Sequence, residues 1–287
     1  MKLSQRLTLR FIRTKFKLLS SISKKKAAQK AFELFCTPQF RNKKPLPRIF
    51  EQAESLHFSI EGVSITGWRW GHRTESGQQP PARKVLIIHG FESTVVNFDR
   101  YVKPLVKKGY EVLAFDAPAH GRSGGKKITA PLYKRTIQEI DKRYGPVQSF
   151  MAHSFGGLAI SLALEEMSHN DDYRLALIAP ATETTTAIDF FFQFLRLDAA
   201  IRPEFDKIIM KAGGLSPDYY SISRAVKHIR AKVLWLHDEE DDTTPIGDVL
   251  KVKAENHPHI EFVITKGLGH RRIYRDNNVS KTIVEFL

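Results

Sequence analysis

The chain has 287 residues, of which 42% are hydrophobic and 26% charged, a composition that suits one large folded domain or two small ones and excludes a disordered chain. Lys and Arg outnumber Asp and Glu by 45 to 31, a formal charge of +14. The lone cysteine, Cys36, excludes an internal disulfide framework and a thiolate zinc site, so a reducing cytoplasm is the expected setting. Residues 1–50 hold fourteen bases against one acid, Glu33, whereas the other 237 residues are nearly neutral. Such a body does not supply the basic face that tracks phosphates, and a nucleic-acid partner is not expected.

In residues 1–30, Leu3, Leu7, Phe11, Leu18 and Ile22 fall at helical spacing, with Ile12, Phe16 and Leu19 widening the stripe and bases filling most other positions. The pattern predicts a basic amphipathic helix. Its apolar runs are two residues long, too short for a secretory core or a membrane span, so neither is expected. Two roles fit: a helix packed on the body with its bases solvated, or a peripheral contact with an anionic membrane.

Lys43-Lys44-Pro45-Leu46-Pro47-Arg48 reads as a linker, which sets an arm at residues 1–50 and a body at 51–287. From Leu56 to Trp70, alternating apolar residues straddle Glu61-Gly62, the signature of a β-hairpin. Six runs follow, at Lys84–His89, Glu111–Asp116, Val147–His153, Arg174–Ala179, Lys232–His237 and Ile260–Thr265. Several are apolar at consecutive positions, as in strands buried on both faces. Helical spacing near 98–108, 131–144, 156–168 and 246–256 separates them, and this alternation predicts an α/β fold with a mostly parallel sheet flanked by helices. One long interruption, about 181–228, carries Phe190, Phe191 and Phe194 and reads as an inserted helical cap. If such a cap covers the carboxyl ends of the strands, those three phenylalanines become candidate substrate contacts; packing within the cap is the other use for them.

The run Val147–His153 leads into Ala152-His153-Ser154-Phe155-Gly156-Gly157 and a helical segment. Strand, serine and helix with small flanking residues make a nucleophile elbow, although Ala152 stands where Gly is usual. A serine hydroxyl needs a base, and the base needs a carboxylate. His270, in a glycine-flanked loop after the last strand, is the best-placed base. The acid lies among Asp238, Asp241 and Asp242, in the loop after Lys232–His237. Two backbone donors are needed for an oxyanion: the N–H of Phe155, next after the serine, and that of Phe91, in the turn Ile88-His89-Gly90-Phe91.

These residues resemble the α/β-hydrolase family over about 56–287. The likeness rests on His89-Gly90-Phe91, Asp116-Ala-Pro-Ala-His120-Gly121-Arg122-Ser123, Ala152-His153-Ser154-Phe155-Gly156, the 237–245 loop and Gly269-His270. In similar proteins the acid loop reads His-Gly-x-x-Asp-x-x-x-Pro, which aligns Asp241 with the acid. The resemblance implies a Ser154–His270–Asp241 hydrolase of carboxylic esters or thioesters of small to medium acyl groups, acting through an acyl-enzyme without metal or organic cofactor. Acyl transfer, peptide hydrolysis and a non-catalytic binding protein are the alternatives. Asp116 and Arg122 read as structural, His89 as a hydrogen-bonding support, and His153 as buried and distinct from the base.

Overall fold

A computed structural model describes residues 3–41, 45–72 and 83–287, so Lys43 and Lys44 of the expected linker lie outside the described residues. In chain order the elements are α1 (Leu3–Ile22), α2 (Lys24–Phe35), β1 (Glu54–Ile60), β2 (Val63–Trp70), β3 (Arg83–Ile88), α3 (Val102–Lys107), β4 (Tyr110–Phe115), α4 (Ala130–Tyr144), β5 (Ser149–His153) and α5 (Phe155–Leu164). There follow β6 (Arg174–Ile178), α6 (Thr184–Leu195), α7 (Arg202–Gly213), α8 (Ile222–Ala225), β7 (Lys232–Asp238), α9 (Ile246–Ala254), β8 (Ile260–Thr265), α10 (Gly269–Arg272) and α11 (Asn277–Phe286). They form two compact units, one of Pro38–Thr182 with Ile222–Leu287, the other of the described residues up to Thr37 with Glu183–Ser221.

The larger unit is an eight-stranded sheet in the order β1-β2-β4-β3-β5-β6-β7-β8. The pairs β1–β2 and β2–β4 are antiparallel and all others parallel. The six expected strands are present, with ends within two residues of their apolar runs. Glu61 and Gly62, with φ of +50° and +74°, make the two-residue turn that a right-twisted hairpin requires. All six residues of β4 and all five of β5 are buried, which is why these runs are apolar without alternation. Helix α5 is buried on nearly every side and is built mainly of Gly, Ala, Leu and Ile, residues that let it lie close to its neighbours.

Three local expectations are corrected. The segment expected as a helix over 98–108 is a 3₁₀ stretch, Val95–Tyr101, followed by α3. Pro104 accounts for the break, since its ring would collide with the carbonyl four residues earlier in a continued α-helix. Arg48, taken as part of the linker, begins a 3₁₀ turn that seats Phe50 between Trp68 and Trp70, with ring centroids 5.1 and 5.0 Å apart. At the chain's end α11 was not anticipated; it is capped by Asp276 and buries Val279 and Ile283.

In the smaller unit, α1 and α2 pack with α6 and α7. The expected arm, residues 1–50, is divided between the two units: among its described residues, those up to Thr37 group with the insertion, and those from Pro38 with the sheet. The insertion's share of the helical unit is Glu183–Ser221, shorter than the expected 181–228, because α8 returns to pack on α5. Phe35 lies edge-on to Phe191 and Phe205 at 5.2 and 5.8 Å, and Phe32 meets Phe205 at 5.9 Å. The ring of Phe191 is therefore used in packing, whereas Phe190 and Phe194 are 42% and 57% exposed.

Candidate active site

Ser154 sits between β5 and α5 at φ +54°, ψ −124°, a region that residues with a side chain rarely occupy. As the residue before a helix it could cap α5, yet its side chain makes no capping bond. Instead the hydroxyl donates to His270 Nε2 at 3.0 Å. The opposite ring nitrogen, Nδ1–H, donates to Asp241 Oδ2 at 2.8 Å. Ser154, His270 and Asp241, each following a different strand, thus form one hydrogen-bonded row. All three are buried.

Sharp packing enforces the elbow. A Cβ on Gly156 would lie 2.6 Å from the His89 carbonyl oxygen and 2.8 Å from Ile88 Cγ2, and one on Gly90 would lie 2.8 Å from Ser154 Cβ. The turn after β3 is thereby brought against the serine. Among the described residues, neither the Phe91 nor the Phe155 backbone N–H donates to any protein acceptor, and their rings are 6.2 Å apart. Phe155 directly follows the serine, and Phe91 follows Gly90, which packs against the Ser154 Cβ.

The acid is held by a dense set of donors. Asp241 Oδ1 accepts from the N–H groups of Thr243 and Thr244 at 2.9 and 2.8 Å, and Oδ2 from the Thr244 hydroxyl at 2.9 Å. Burial alone would raise its pKa, but the bond to His270, that ring's charge and the two N–H donors hold it below the ordinary value. Asp238 has a different task. Its Oδ2 accepts from Leu268 N–H at 3.0 Å and from the Thr265 hydroxyl at 2.7 Å, tying down the loop that carries His270. Among the described residues, Asp242 bonds only its neighbour, accepting from the Thr243 hydroxyl.

Three further histidines near the row act as supports. His153 is buried, donates from Nε2 to the His270 carbonyl at 3.0 Å, and has its pKa pushed down to about 3 by burial and by the adjacent His270. His89 accepts the Ala117 N–H at Nε2, and His120 accepts that of Glu92. Burial lowers the pKa of both, to about 3 for His120. Asp116 accepts from Thr94 Oγ1, Val95 N–H and Arg122 N–H, fixing the loops after β3 and β4 to each other.

A family model described as serine aminopeptidase, S33, matches residues 79–231, more than half of the chain. The chain belongs to this family of α/β-hydrolases. A curated relative, the uncharacterized protein YqkD of Bacillus subtilis, is 24% identical over 83% of this chain and 81% of its own. A serine hydrolase-like protein of Dictyostelium discoideum is 27% identical over 40% of this chain and 32% of its own. Among solved structures, the esterase Pf2001 of Pyrococcus furiosus superposes with a TM-score of 0.63 at 20% identity, covering 88% of this chain and 95% of that one, a likeness of fold.

Three supports in this family member were missed in the sequence. The Thr244 hydroxyl also lies 3.2 Å from His270 Nδ1, so it touches both Asp241 and His270. Arg41 donates to the carbonyls of Ala119, Ser123, Gly124 and Gly125, and Gln39 N–H donates to Glu92 Oε1 at 2.8 Å. These two residues brace the loops after β4 and β3. Nothing in a basic run distinguishes Arg41 from its neighbours, whereas Thr244 could have been sought three residues after the acid, where a hydroxyl reaches back to a loop carboxylate.

Proposed function

We propose that this serine-hydrolase family member cleaves carboxylic esters or thioesters of small to medium acyl groups, with Ser154 as nucleophile, His270 as base and Asp241 as its orienting acid. What carries the reading is the unbroken row from the Ser154 hydroxyl through His270 to Asp241, with the serine off the helix cap and two free N–H donors beside it. As Ser154 Oγ bonds to the acyl carbon, its proton passes to His270 Nε2, and the carbonyl oxygen takes up negative charge against the N–H groups of Phe91 and Phe155. Collapse breaks the bond to the leaving oxygen or sulfur, which receives the proton from His270. Water then attacks the acyl-enzyme, giving its proton to His270, and the acid is released as Ser154 is reprotonated.

Asp241 remains a carboxylate throughout, consistent with its lowered pKa, and stabilises the imidazolium at each step. The acyl length rests on the apolar composition of the insertion, and a series of p-nitrophenyl esters of increasing chain length measures it. Ser154→Ala and His270→Ala are each expected to lower turnover by about 10³-fold or more with folding unchanged; turnover at the wild-type level in either variant overturns the assignment. The description of the matching family supports hydrolysis of aminoacyl amides as a second reading. Faster cleavage of aminoacyl p-nitroanilides than of esters would select it.

A further inference from the structure

Helix α1 has two apolar faces, and the helical unit uses one. On the packed side, Phe16 is buried, the Ser20 hydroxyl donates to Asp198 Oδ2 at 3.0 Å, and Arg13 donates to the Phe194 carbonyl at 2.6 Å. On the other side, Leu7, Phe11, Leu18 and Ile22 are 57, 69, 62 and 79% exposed. At 3.6 residues per turn these four lie within an arc of about 60°, a single ridge running along the helix. The broad stripe expected in the sequence is thus divided: Phe16, with the half-buried Ile12 and Leu19, serves the core, and the ridge faces outward.

The ridge is part of a wider asymmetry. Among the described residues, eight of the twelve exposed large apolar side chains belong to the helical unit, the smaller of the two. Contiguous apolar surface of this kind marks an interaction site. Charge then selects the occupant. Helix α1 contains no acid, and the exposed Arg6, Arg10 and Lys17 border the ridge on one edge with Lys15 on the other. A second copy of the chain would set these cations against their own kind. An anionic lipid surface meets both demands, taking the apolar side chains among its acyl chains and the bases among its headgroups. No helix among the described residues is long and apolar enough to cross a membrane, so α1 would lie in the surface plane.

We propose that the Leu7–Phe11–Leu18–Ile22 ridge of α1 docks the protein on anionic membrane surfaces. The test is flotation of the full chain with vesicles of phosphatidylcholine, with and without phosphatidylglycerol. Wild type is expected to float with the anionic vesicles and to be released by added salt. Leu7→Ser, Phe11→Ser, Leu18→Ser and Ile22→Ser combined should fall to background, with circular dichroism and turnover of a soluble ester unchanged. Arg10→Glu with Lys17→Glu, which leaves the ridge intact, should lose the preference for anionic vesicles. The proposal is overturned if wild type does not float, if it binds neutral vesicles equally well, or if the serine variant floats as wild type does. It is also overturned if wild type is a dimer that the serine variant converts to monomer without either binding lipid, which would make the ridge a self-contact.

Discussion

At the scale of single residues, two aspartates three positions apart divide two tasks by which donors they face. Asp241 faces the His270 ring and the hydroxyl of Thr244, whereas Asp238 faces the backbone of the loop that carries His270. In Asp241→Asn the amide oxygen is held by the N–H groups of Thr243 and Thr244, so the NH2 faces a ring that must donate from Nδ1, and the favoured tautomer is lost. Turnover is then expected to fall by roughly 10³–10⁴-fold with little change in stability. Asp238→Asn leaves the row intact but places an amide against two donors, so it should cost about 1–3 kcal/mol of stability with a smaller loss of turnover. Steady-state kinetics and urea denaturation of both variants check this. Equal losses of turnover, or a larger one for Asp238→Asn, would reassign the acid.

At the scale of elements, the elbow works because β5, α5 and the turn after β3 approach to backbone contact. Gly156→Val would drive side-chain atoms into the His89 carbonyl and Ile88, displacing the turn that carries Phe91. A loss of at least about 1–3 kcal/mol is expected, with a fall in turnover. Gly247→Ala, at a helical position with nothing within 4 Å, is the contrast and should be neutral or stabilising by up to about 1 kcal/mol. Stabilities measured by denaturation would contradict the packing account if the two substitutions behaved alike. The parallel strands were legible because strands buried on both faces leave unbroken apolar runs, and the serine because its turn admits only small neighbours. That Ser154, Asp241 and His270 come together was legible from their places after three strands. What escaped depends on tertiary partners. Periodicity cannot separate a 3₁₀ turn from an α-turn at Val95–Tyr101, cannot tell which apolar face of α1 meets the core, and cannot show that Arg41 reaches the carbonyls of Ser123 and its neighbours.

At the scale of the whole molecule, the sheet unit stores several histidines in neutral form. His120 and His153 have pKa values near 3 against an ordinary 6.5, so between these limits the unfolded chain binds protons that the folded chain refuses. Stability should therefore be full above about pH 6.5 and fall as pH drops, by up to roughly 1.4 kcal/mol per pH unit for each such group. The lowered carboxyl of Asp241 acts in the same direction at still lower pH. Urea midpoints measured from about pH 8 to about pH 5 should decline, and His120→Gln should remove part of the slope. A flat profile would contradict burial in the neutral form. The central claim is that Ser154 is an activated nucleophile. Intact-mass analysis after exposure to a fluorophosphonate, comparing wild type with Ser154→Ala, tests it most directly. A single adduct on wild type that is absent from the variant is the predicted result; no adduct on folded wild type, or one that survives in Ser154→Ala, would contradict it.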